Sequence, residues 1–146
     1  MKDISSIHLI TLGVADLERS RDFYEAIGWR AAPESVPGGV VFLQGNGFVL
    51  SLYGVGALAA DQEADGPLVP GGAITLGRNF ADRAAMEAGL AAFLAAGGRE
   101  VRAPFAAPWG TVAYAADPDG HVWEFAHVPG FEPDAAGNLV LSSARA

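Results

Sequence analysis

The segment "ADPDGHVWEFAH", residues 116–127, gathers three side chains capable of chemistry: His121, Glu124 and His127. A carboxylate and two imidazoles could hold a divalent metal or move a proton, provided that they share a face. Asp117-Pro118-Asp119-Gly120 reads as a turn, because proline presets φ and glycine accepts a positive one, and "HVWEFAH" reads as the strand that follows. Side chains alternate along a strand. Val122, Glu124 and Ala126 therefore look one way and Trp123, Phe125 and His127 the other, the core, while His121 stands at the turn end. Neither histidine is expected to join Glu124 around an ion without a bulge.

The remaining histidine, His8, opens another strand, residues 7–14. Packing Ile10, Leu12 and Val14 on a helix leaves Leu9, Thr11 and Gly13 on the opposite face. Turning His8 to that face would slip the strand by one residue and expel the three apolar side chains, at about 2 kcal/mol each. His8 is accordingly expected at the rim of the helix layer.

These residues need elements to hold them. Asp16 can cap a helix whose apolar steps are Leu17, Ser20, Phe23 or Tyr24, and Ile27, and Gly28 can stop it. Past Pro33 and Pro37, "VVFLQ" and "FVLSLY" flank Gly45-Asn46-Gly47, a strong hairpin signal. The tetrapeptide ITLG at 10–13 then returns at 74–77, followed by a helix over 82–96 with a Met86, Leu90, Phe93, Leu94 stripe closed by Gly97-Gly98, and by "TVAYAA" and "HVWEFAH". Order and letters together predict a duplicated βαββ plan, offset by 64 residues at ITLG.

The expected fold is α+β: a single domain over residues 1–146, with module 1 at about 4–53, a Gly/Ala/Asp/Pro connector at 54–72, module 2 at about 73–127, and a tail at 128–146 in which "LVLSS" could add an edge strand. A module of about 60 residues buries too little surface alone, so the two are expected to share a core. Helices on one side of the sheets leave the other faces to curl into a cupped mixed sheet around a hollow. In the second copy Ile74 and Leu76 take the helix face, and Ala73 and Thr75 the hollow.

Composition narrows the partners. Seventeen acidic residues against nine basic ones, a net charge of −8, argue against nucleic acid, because phosphate binding needs a basic face. No apolar run of about 20 residues is present to cross a membrane, and the first residues lack the basic and apolar stretches of a signal peptide, so a cytoplasmic protein is expected. The absence of cysteine removes thiolate metal sites, disulfides and a cysteine nucleophile.

"LGVADLERSRDFYEAIGW" together with "ADPDGHVWEFAH" resembles the vicinal oxygen chelate superfamily, the glyoxalase, bleomycin resistance protein and dioxygenase type, over residues 7–127 or so. The resemblance implies paired βαββ modules, commonly a homodimer, and in metal-dependent members one inward ligand from each of four strands. The matching positions here are Leu9, the neighbourhood of Leu50, Ala73 and Glu124. Three are aliphatic, and one carboxylate cannot replace the several donors a divalent ion needs.

No cofactor is therefore expected, with a divalent metal as the alternative. The site reads as Leu9, Thr11, Leu50, Leu52, Ala73, Thr75 and Glu124, with Phe42, Trp109 and Tyr114 flanking it. Apolar walls with few polar groups suit a small apolar or aromatic molecule. The indole of Trp109 could cover such a ligand or pack under its own turn. Glu124 could touch the ligand, act as general base or neutral donor, or simply face water or pair with Arg78. The function expected is metal-independent small-molecule binding. The alternative is an enzyme, a lyase, isomerase or dioxygenase, working through a metal or through Glu124.

Overall fold

The computed structural model describes residues 4–141. The chain divides between Pro70 and Gly71 into two compact units, each with a sheet backed by a helix. In the first unit β1 (Leu9–Val14), β2 (Val40–Gln44) and β3 (Val49–Gly54) are ordered β1-β3-β2, with β1 parallel and β2 antiparallel to β3. The Asp16 carboxylate caps α1 (Leu17–Ala26) by accepting from the Arg19 N–H at 3.0 Å, and Gly28 turns the chain away with φ of +110°. Ser20, Phe23 and Tyr24 form the buried stripe of α1, which packs on β2 and β3. Both aromatic rings are inside, edge to face at 5.0 Å.

Register settles the faces of this sheet. Ile10 pairs with Leu50, Leu12 with Leu52, and Leu52 and Leu50 with Val41 and Leu43, so these side chains share the helix side. The opposite face carries Thr11, Ser51 and Phe42 in one row. A second helix, α2 (Val55–Asp61), lies in the stretch the sequence presents as a connector. It crosses that opposite face: a Cβ on Gly13 would meet Val55 and Leu58 at 3.1–3.3 Å, and the Tyr53 hydroxyl, in the same row, donates to Asp61 at 3.0 Å.

The second unit has the order β4 (Leu76–Asn79), α3 (Arg83–Ala95), β5 (Arg99–Ala107), β6 (Gly110–Ala116) and β7 (Val122–His127), its sheet running β4-β7-β6-β5. Only β4 and β7 are parallel. Asp82 caps α3, as Asp16 caps α1, with the Ala85 N–H at 2.7 Å from its carboxylate. Met86, Leu90 and Phe93 are the buried stripe, and Phe93 meets Trp123 and Phe125 of β7 at 6.3 and 5.1 Å between ring centres. The turn before β7 is held by Asp117, whose Oδ1 accepts from the N–H groups of Asp119, Gly120 and His121 at 2.9–3.0 Å.

The second module is thus βαβββ, with β5 added at its edge. The β5 register shifts on both sides of Arg102, between Glu100 and Arg102 and again between Arg102 and Phe105, next to Pro104. The letter repeat is also offset from the structural one. Asp16 follows Gly13 by three residues and Asp82 follows Gly77 by five, so the capping residues stand 66 apart whereas the ITLG letters stand 64 apart. For that reason β4 begins at Leu76; Ala73 and Thr75 lie on the exposed lead-in, and Ile74, expected on the helix face, is 73% exposed. Leu139, Val140 and Leu141 form no strand, and Ser142 and Ser143 lie outside the described residues.

Candidate functional site

The face of the second sheet opposite α3 carries a row with one side chain from each of its last three strands. Gly77 on β4 pairs with Glu124 on β7, Glu124 with Tyr114 on β6, and Tyr114 with Arg102 on β5. Alternation fixes the row, since Trp123 and Phe125 on either side of Glu124 are committed to α3. Across it the Tyr114 hydroxyl donates to Glu124 Oε2 at 2.8 Å. Phe105 lies beside Tyr114 with nearly parallel rings, centres 6.5 Å apart, and the Arg102 guanidinium sits 3.3 Å from the centre of the Phe105 ring.

The bond to Glu124 pushes the Tyr114 hydroxyl above its ordinary value near 10; burial and the carboxylate's charge add to this, and Arg102 opposes it. Because the folded value exceeds the unfolded one, this bond contributes stability in full below about pH 10 and loses it as the pH rises through the folded value. Glu124→Gln is expected to bring the Tyr114 ionisation back toward the ordinary value. The readout is the tyrosinate absorbance in a Tyr53→Phe background, because Asp61 likewise pushes up the Tyr53 hydroxyl. An unchanged titration would show that the Tyr114 proton is not held by Glu124.

Gly77 leaves the floor beside Glu124 open. A Cβ there would meet nothing closer than Glu124 Oε1 at 3.9 Å. Arg78, considered as a partner for Glu124, pairs in register with Phe125, donates to the Asn79 carbonyl and covers Phe80 with its guanidinium. Glu124 is bonded to Tyr114 instead. His127 turns the other way, its Nδ1 at 3.2 Å from the Phe80 carbonyl. His8 precedes β1 and is exposed, and among the described residues no three His, Cys, Asp or Glu side chains cluster as metal ligands.

The other expected site residues fall as follows. Thr11 and Phe42 lie in the open-face row of the first sheet, where the Thr11 and Ser51 hydroxyls are hydrogen-bonded at 2.5 Å. Leu9 shares the Thr11 side of β1 and is 55% exposed. Leu50 and Leu52 are corrections: register puts them on the helix side, 1% and 0% exposed, and the residue between them on the opposite face is Ser51, itself 2% exposed. Ala73 and Thr75 precede β4 and belong to no strand; the β4 residue beside Glu124 is Gly77. Trp109 stands at the β5–β6 turn and is 61% exposed, so it is not packed under that turn.

Sequence reading missed Ser51, Gly77, Arg102 and Phe105. A signal for part of this existed. If the 117–120 turn closes a hairpin, counting outward from 116 and 122 pairs Tyr114 with Glu124.

The family model for the Glyoxalase/Bleomycin resistance protein/Dioxygenase superfamily matches residues 6–125, and the chain belongs to that superfamily. Its fold is similar to that of a glyoxalase-related enzyme from Fulvimarina pelagi, at 34% identity and TM-score 0.85, covering 94% of this chain and 99% of the other. Two more distant structures share the fold. Lactoylglutathione lyase from Agrobacterium tumefaciens is 21% identical with TM-score 0.65, covering 86% and 95%. TnmS3, an antibiotic binding protein from Streptomyces sp. CB03234, is 24% identical with TM-score 0.61, covering 88% and 99%. No protein among curated sequences matches the chain. No helix among the described residues is long and apolar enough to cross a membrane.

Proposed function

We propose that the chain is a metal-independent binder of a small apolar or aromatic molecule, seated on the open face of the second sheet against Gly77, Glu124, Tyr114 and Phe105. The carrying observation is the Tyr114–Glu124 bond beside a glycine. It gives a fixed polar edge, a free carboxylate oxygen and vacant space next to both, while Phe105 and Tyr114 supply ring surface. TnmS3, by its name an antibiotic binder, illustrates that this fold can serve such a role. The metal-free part rests on donor chemistry. The strand row offers one carboxylate, already bonded, with glycine, tyrosine and arginine as neighbours, a set that does not fit a divalent ion of the family type. A homodimer and a cytoplasmic setting belong to the same proposal.

The test is thermal unfolding with 2-naphthol in the presence of EDTA. Ligand at about 100 Kd stabilises by about 2.7 kcal/mol, a rise of about 5–10 °C for a protein of this size. Gly77→Val is expected to fold normally, having a β-branched side chain and free space in a strand, and to abolish the rise. No rise in wild type, or a rise only with added divalent cation, defeats the proposal.

A second reading follows from the same bond. A hydroxyl and a carboxylate at 2.8 Å can pass a proton, which would suit Glu124 as the acid–base group of an enzyme. Mass spectrometry of recovered ligand separates the two: an unchanged mass supports binding, and an altered one supports the enzyme.

A further inference from the structure

We infer that the ligand of this face carries two polar ends, a hydrogen-bond donor that meets Glu124 Oε1 and an anionic group that meets Arg102. The inference rests on the reading of the face as a ligand site. Its first leg is hydrogen-bond bookkeeping at Glu124. Tyr114 already donates to Oε2, so Oε1 and the remaining lone pairs of the Tyr114 hydroxyl present acceptors alone, and a hydroxyl or N–H is the group that completes them.

The second leg is Arg102. Its guanidinium carbon sits 3.3 Å from the centre of the Phe105 ring, so the ring supports the group, and the planar fork carries five N–H donors. Among the described residues no carboxylate bonds it, unlike Arg21 and Arg83, which pair with Glu25 and Glu87 on their own helices. A planar guanidinium held on a ring, with no carboxylate bonded to it among the described residues, is preorganised for a carboxylate or phosphate from outside. Two strand spacings, about 10 Å, separate the backbones that carry Glu124 and Arg102; Tyr114 stands on the strand between them, and Phe105, on the strand of Arg102, lies beside its ring. A flat aromatic body with a donor at one end and an acid at the other matches that spacing and that order of chemistry.

The probes are 6-hydroxy-2-naphthoate, its methyl ester, and 2-naphthol, with affinities measured by calorimetry in EDTA. The acid is expected to bind about tenfold tighter than the ester or the naphthol, the advantage of one charge-assisted contact. In Arg102→Gln that advantage disappears, and the acid, the ester and 2-naphthol bind with the same affinity as one another. Arg102 is exposed, so the variant should fold; unchanged thermal unfolding checks this. If 2-naphthol binds and Gly77→Val blocks it, but the acid gains nothing or keeps its gain in Arg102→Gln, the anionic end is wrong and the binding function stands. If none of the three binds, both fall.

Discussion

Phe93→Ala is expected to lower the unfolding free energy by about 3–5 kcal/mol, the range for removing a buried aromatic ring. Phe93 is 2% exposed and is the α3 side chain that meets both Trp123 and Phe125, so its loss empties the layer on which β7 rests. Total stability of about 5–15 kcal/mol makes such a loss a large share of the whole. The urea midpoint should fall with the slope of the transition unchanged. Phe93→Leu should cost less, because it keeps most of the volume. A loss under about 1 kcal/mol for the alanine variant would mean that Glu124 is not positioned by this packing.

Gly110→Ala is the second large effect. The added Cβ would stand 2.3 Å from the His127 carbonyl oxygen and 3.0 Å from the Val128 Cα, both backbone atoms that cannot rotate away. The first residue of β6 must then move from the end of β7, at a cost of roughly 3 kcal/mol, the upper part of the range for overpacking. Thermal unfolding is the check, with Gly77→Ala beside it. Gly77 occupies the same sheet, but its Cβ would meet only a carboxylate oxygen at 3.9 Å, so that variant should unfold at or slightly above the wild-type temperature. Equal losses at the two glycines would refute the distinction.

What the sequence made legible was what short-range chemistry dictates. Asp16 and Gly28, the Gly45-Asn46-Gly47 hairpin and the Asp117 turn all act within a few residues, and each formed where its side chains predicted. β5 escaped because an edge strand has little to bury: "REVRAPFAA" mixes charges and a proline without alternation, and most of it is exposed. α2 escaped for the opposite reason, a Gly/Ala-rich segment with no capping side chain and no fully buried residue, made helical by resting on Gly13 and by the Tyr53–Asp61 bond. Leu50 was misplaced by one residue, and one residue in a strand reverses the face, so Ser51 was hidden behind it.

For the candidate site the split is similar. Glu124 and Tyr114 were each visible as single residues. Their bond depends on hairpin register, and Arg102 and Phe105 depend on a strand the pattern did not reveal. Thr75 stood in for Gly77, because the repeated letters equate it with Thr11 while the helix caps equate Gly77 with Thr11.

The mismatch between the ITLG letters and the helix caps has a corollary for how such a chain can change length. A segment that gains two residues between strand and cap keeps every side chain on its former side of the pleat, so the lining survives while the helix is simply reached later. A gain of one inside β4, after Gly77, would instead reverse Arg78 and Asn79 in the pleat. Variants made by inserting amino acids after Gly13 in β1 or Gly77 in β4 should therefore be tolerated in even steps and rejected in odd ones, a parity rule that an insertion library would expose at once.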